Sequence, residues 1–124
     1  MEMDDTYEKQ VAVTIFEQLG GVGFATMIGL ITPILVRVEA PGEITAIFRW
    51  KAKSKGALNL MEVTYLEGSD TYRVVFGRIT CSGIIRHQPT EDVYCDMLAP
   101  MFREATLLDI VPPRFGNFST DSEA

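Results

Sequence analysis

Cys95, His87 and Asp96 have the types of a nucleophile, a base and an orienting acid, the set that nucleophilic catalysis by a thiol requires. Their expected placement does not suit that chemistry. Cys95 falls within a predicted helix and His87 at a strand end, and the chain has only one histidine to choose from. A cysteine packed as a small hydrophobe is the ordinary alternative, and no catalysis is expected. Asp92 and Asp96 stand four residues apart, as surface acids on a helix do, with no local histidine to complete a metal site. Gly20, Gly21 and Gly23 invite a phosphate-loop reading, but such a loop follows a strand and opens a helix, whereas these follow a helix and precede a strand. A helix stop is the simpler expectation, and no metal or cofactor is foreseen.

The most distinctive charge feature is the segment Arg49, Trp50, Lys51, Lys53 and Lys55, in which four bases recur at every second residue and an aromatic stands between two of them. On an extended segment this spacing throws the bases to one side. Such a set can grip phosphates while the indole stacks on a base. Equally, charges on a strand edge discourage aggregation, and the acidic remainder of the chain favours that second reading. Tyr72, Val74 and Phe76 alternate and are expected to share the core face of a strand, where the Tyr72 hydroxyl needs a partner. Asp96, on a helix covering that face, is the expected acceptor.

Positioning these residues is the work of one domain. The chain has 124 residues, 47% hydrophobic and 23% charged, enough for a core without staples and too short for a second domain. Residues 1–112 are expected to form it, with 113–124 as a polar, frayed tail. The net charge is −6, and it is unevenly spread: residues 1–36 carry five acids and one base, residues 37–86 five acids and eight bases, residues 87–124 seven acids and two bases. That balance disfavours non-specific binding to nucleic acid or anionic membrane. Two cysteines fourteen positions apart make neither a zinc spacing nor a disulfide framework, which fits a reducing compartment. The acidic start Met1-Glu2-Met3-Asp4-Asp5 does not read as a secretory signal. Gln18 to Val36 holds no charge, but its glycines and Pro33 argue for two or three buried elements over a membrane span.

Periodicity supplies the order of elements. Tyr7, Val11, Ala12, Ile15, Phe16 and Leu19 form one helical stripe, with Asp5 and Glu8 as a capping-box-like start and Gly20-Gly21 as the stop. Ile34 to Val38 and Ile44 to Trp50 alternate around Pro41-Gly42, the pattern of a hairpin. Leu60 to Leu66 and Thr71 to Phe76 follow as strands, and Ile79 to Arg86 as a fifth. Thr90 is the expected cap of a second helix whose stripe runs from Val93 to Ala105, with a kink or break at Pro100. The expected fold is therefore α+β: a helix, an antiparallel meander of four or five strands, and a helix, both helices on one sheet face.

Leu19-Gly20-Gly21 followed by Phe24, Met27 and Gly29, the strand pattern Asp70, Tyr72, Val74, Phe76, and Val93-Tyr94 with Asp96, Leu98, Phe102 and Thr106 together resemble a family of small uncharacterised proteins encoded by bacteriophages, prophages and mobile elements. The resemblance spans most of residues 15–108. Two departures stand out: the family usually has a small residue where Cys95 sits, and Thr-Gly-Leu where this chain reads Thr106-Leu107-Leu108. The resemblance implies a phage origin and the cytoplasm of an infected bacterium, and it carries over no catalytic residue. A non-enzymatic accessory protein that binds a bacterial host protein or complex, such as a CRISPR effector or other defence assembly, is the expectation. The alternative is a nucleic-acid-binding module using Arg49 to Lys55.

Overall fold

A computed structural model describes residues 7–108. The expected start at Asp4 and Asp5 and the expected tail at 113–124 lie outside the described residues. Most of the stripe of the first helix folds as foreseen: α1, Tyr7–Leu19, buries Val11, Ala12, Ile15 and Leu19 and half-buries Phe16, whereas Tyr7 at its start is exposed. The glycines then make a corner and not a full stop. Gly20 (φ +126°) and Gly21 (φ +60°) adopt backbone conformations that few other residues tolerate, the chain bends by 73°, and α2, Gly21–Ile28, begins at once. This second helix corrects the expected order of elements. Its period was hidden because eight residues of nearly uniform apolarity show no polar face.

Six strands follow: β1 Leu35–Ala40, β2 Glu43–Arg49, β3 Leu60–Leu66, β4 Thr71–Thr80, β5 Gly83–Arg86 and β6 Thr90–Val93. They form one antiparallel sheet in the meander order β1-β2-β3-β4-β5, with β6 also paired to β4. The long β4 thus divides its second edge, Gly77 to Thr80 taking β5 and Tyr72 to Val74 taking β6. The expected strand from Ile79 to Arg86 is instead the end of β4, a turn, and β5.

A further correction concerns Thr90. It opens β6 and caps no helix, since Val93 buries completely against Tyr72 and Asp92 takes a positive φ of 56° where the pairing slips by a residue. The last helix, α3 Leu98–Thr106, starts later, after a 3-10 turn at Cys95–Met97. Pro100 consequently lies in its first turn, where an N–H has no intrahelical acceptor to lose, and no break is needed.

One hydrophobic cluster joins the three helices to the sheet. Alternate residues of the sheet, Ile44, Ala46, Phe48, Met61, Val63, Tyr72 and Val74, share it with Leu19, Phe24, Ile28, Leu98 and Phe102 of the helices. Phe24 ties them together: its ring meets Phe16, Phe48 and Phe102 edge-on at centroid distances of 6.3, 6.1 and 5.1 Å. No described single helix is long and apolar enough to cross a membrane, although α1 and α2 taken together pass on length and composition alone.

Candidate functional site

Alternation along a strand sends every second side chain away from the core. Of the residues so directed in β2, β3 and β4, none belongs to the hydrophobic cluster. Register aligns them in rows across the sheet. One row runs Arg37, Thr45, Thr64, Arg73; the next Leu35, Ile47, Glu62, Val75; a third Arg49, Leu60, Gly77, Arg86. Ile79 and Ile84 pair beyond them.

Charge on this face is organised around a buried carboxylate. Glu62 is 5% exposed, yet Arg86 donates from Nε to Oε1 at 2.8 Å and from Nη2 to Oε2 at 3.0 Å, and Arg37 reaches Oε2 at 3.5 Å. Burial pushes the Glu62 carboxyl up, the two guanidinium groups push it down, and the net result lies below the ordinary carboxylate value. A second group sets Arg73 against Glu91 at 3.1 Å and Glu43 at 3.8 Å. Between these groups the Thr45 and Thr64 hydroxyls, both buried, bond to each other at 2.7 Å. Gly77 permits the register: a Cβ there would come within 2.6 Å of the Ile85 carbonyl oxygen, so β5, and with it Arg86, could not lie so close.

Interleaved with these pairs are aliphatic side chains open to solvent, Leu35 at 42%, Ile79 at 38% and Ile84 at 48% exposure. The sequence holds two signs of this face: a lone acid at Glu62 between Met61 and Val63, and a threonine, Thr45 or Thr64, between apolar neighbours in each of two strands.

The basic segment is dispersed by the fold. Trp50 is 2% exposed and packs its ring edge-on against Phe102 at 5.0 Å, so it offers no face for a nucleobase. Arg49 points to the opposite side, with Nη2 at 3.5 Å from the Pro33 carbonyl. Lys51, Lys53 and Lys55 are exposed in the loop after β2. They do not guard a strand edge, because β2 is paired on both sides, by β1 and by β3. The expected basic strand edge is thus a lysine loop without its aromatic.

Tyr72 does find a partner, but a different one from that expected. Its hydroxyl donates to Gln18 Oε1 of α1 at 2.9 Å, while Asp96 sits exposed in the 3-10 turn. The delayed start of α3 removed the helix that was to carry Asp96 over the sheet. His87 and Cys95 are not brought together: His87 lines a cleft with Leu58, Phe76 and Ala105, Cys95 another with Tyr65 and Tyr72. Both cysteines are exposed free thiols. Among the described residues no three of His, Cys, Asp and Glu are placed to hold a metal ion. Comparison of the chain with protein-family models, with curated proteins and with solved structures finds no match.

Proposed function

We propose that this chain is a small, non-enzymatic accessory protein of phage type that works by binding a protein of the bacterial host in its cytoplasm, a defence or nucleic-acid-processing complex such as a CRISPR effector being the class of partner. The observation that carries this is the arginine and aliphatic face centred on Glu62, with Leu35, Ile79 and Ile84 open to solvent. In this reading the three helices stack on one side of the sheet and leave that face for the partner. Resemblance to phage proteins supports the host setting, and the acidic balance of −6 supports a protein partner over a phosphate backbone.

Lys51, Lys53 and Lys55, exposed and free of any ion pair among the described residues, favour nucleic acid as a second reading. A gel-shift titration at two salt concentrations separates the two. The proposal expects weak binding that reversing the three lysines to Glu hardly changes, whereas tight, salt-sensitive binding abolished by those changes would replace it with the nucleic-acid reading.

A further inference from the structure

A cleft of about 380 Å³ opens away from the arginine face, between α1, the β3–β4 hairpin and the segment after β6, and is lined by Val11, Thr14, Gln18, Tyr65, Asp70, Tyr72, Tyr94 and Cys95. It gathers three of the chain's four tyrosines. The rings of Tyr65 and Tyr72 are tilted by 51° with centroids 5.5 Å apart, and Tyr94 is 57% exposed on the third side.

Where the hydroxyl protons go decides what the cleft can hold. Tyr65 donates to Asp70 Oδ1 at 2.6 Å, Tyr72 to Gln18 Oε1 at 2.9 Å, and Thr14 to the Gln10 carbonyl at 2.9 Å. All three protons are committed inside the protein, so each oxygen turns only lone pairs toward a ligand. Asp70 adds a carboxylate, and the tyrosines add the negative faces of their rings. No lysine or arginine lines the cleft. Hydrogen bonding to Asp70 lifts the Tyr65 hydroxyl to about 12 and hydrogen bonding to Glu67 lifts that of Tyr7, each phenol being held protonated by a neighbouring carboxylate, whereas the rise at Tyr72 comes from burial. The donors that remain in the lining are the Gln18 amide, the Tyr94 hydroxyl and the weakly donating Cys95 thiol, against these acceptors.

We propose that this cleft binds an organic cation bearing N–H donors, a primary alkylammonium or alkylguanidinium group seated against the Tyr65 and Tyr72 rings and Asp70. A free alkylamine and a lysine or arginine side chain share this chemistry. The site does not depend on the arginine face, so it stands or falls independently of the proposed host partner.

Nuclear magnetic resonance titration of the full chain tests it, with butylammonium chloride and Nα-acetyl-arginine amide as the two cations, and sodium chloride and sodium butyrate as controls at matched ionic strength. Saturable shifts confined to amides around Gln18, Tyr65, Asp70 and Tyr72, with either cation and with neither control, are expected. Saturation by both cations means that a free amine suffices; saturation by the arginine derivative alone means that the site reads a side chain. Asp70→Asn keeps the local backbone, since Asn tolerates the φ of +55° at that position, and is expected to weaken binding roughly tenfold. Absence of saturation, equal shifts with butyrate, or undiminished affinity in Asp70→Asn would overturn the proposal.

Discussion

Arg86 donates to both oxygens of Glu62, at 2.8 and 3.0 Å, from a guanidinium that is 44% exposed to a carboxylate side chain that is only 7% exposed. The pair therefore joins the interior of the sheet to its surface. Because the folded carboxyl titrates below its unfolded value of about 4.5, its contribution is fully present above that pH and is lost as pH falls through the folded value. Denaturant melts from pH 7 down to pH 3 should show a decline in stability beginning near the ordinary carboxylate range. Glu62→Gln should flatten the part of that decline due to this group and lower stability at neutral pH by about 1–3 kcal/mol, a figure held down by the access of both arginines to water. An unchanged acid limb in Glu62→Gln would remove the ion pair from the energetics.

The Thr45 and Thr64 hydroxyls satisfy each other at 2.7 Å in a place where neither is open to solvent. Thr45→Val alone strands the Thr64 hydroxyl and should cost about 1–3 kcal/mol, while Thr45→Val with Thr64→Val removes both polar groups and should recover most of that loss. Chemical denaturation of the two single variants and the double variant closes the cycle. Additive losses would mean that the hydroxyls do not depend on each other.

Tyr65 is held protonated by Asp70 and titrates at about 12, against 10.0 for an ordinary tyrosine. In Asp70→Asn the phenol should move back toward that ordinary value, visible in a spectrophotometric titration of tyrosinate. A folded value above the unfolded one stabilises the protein fully below pH 10 and ceases to do so as pH rises toward 12, so the stability advantage of the natural sequence over Asp70→Asn should be full below pH 10 and shrink between pH 10 and 12. A difference that does not change over that range would contradict the assigned bond.

Leu107 closes α3 in the left-handed conformation, φ 61° and ψ 23°, with its N–H bonded to the Arg103 carbonyl at 2.8 Å. Glycine is the residue that adopts this cap without steric penalty. With 70% of the leucine exposed there is little packing to lose. Leu107→Gly should raise stability by about 1 kcal/mol, read as an increase in Tm. A decrease would show that the side chain contributes contacts worth more than the strain.

The helical stripe of α1 and the strands β2 and β3 were legible in the sequence because polar and apolar residue types recur with the 3.6- or 2-residue period, even where the polar residues Thr45, Glu62 and Thr64 are themselves buried. α2 was not, since Val22, Phe24, Ala25, Met27 and Ile28 leave no contrast to read. Thr90, Glu91 and Asp92 imitate a helix start, and only the free upper edge of β4, a tertiary fact, makes them a strand. The same limit applied to the site. Arg49 to Lys55 was conspicuous because the bases are adjacent in sequence, but the core claimed Trp50; Arg37, Glu62 and Arg86 lie 24 or 25 residues apart and meet only through register.

Affinity for a captured host partner, measured by calorimetry with three purified proteins, tests the central claim most directly. These are the natural sequence, Leu35→Glu with Ile84→Glu on the arginine face, and Lys51→Glu with Lys53→Glu and Lys55→Glu in the loop. The first pair alters side chains more than a third exposed, 42% and 48%, so circular dichroism should report an intact fold. Binding through the face predicts a loss of roughly tenfold or more in the first variant, in line with disrupted central contacts, and little change in the second. Equal affinity of the face variant and the natural sequence would contradict it.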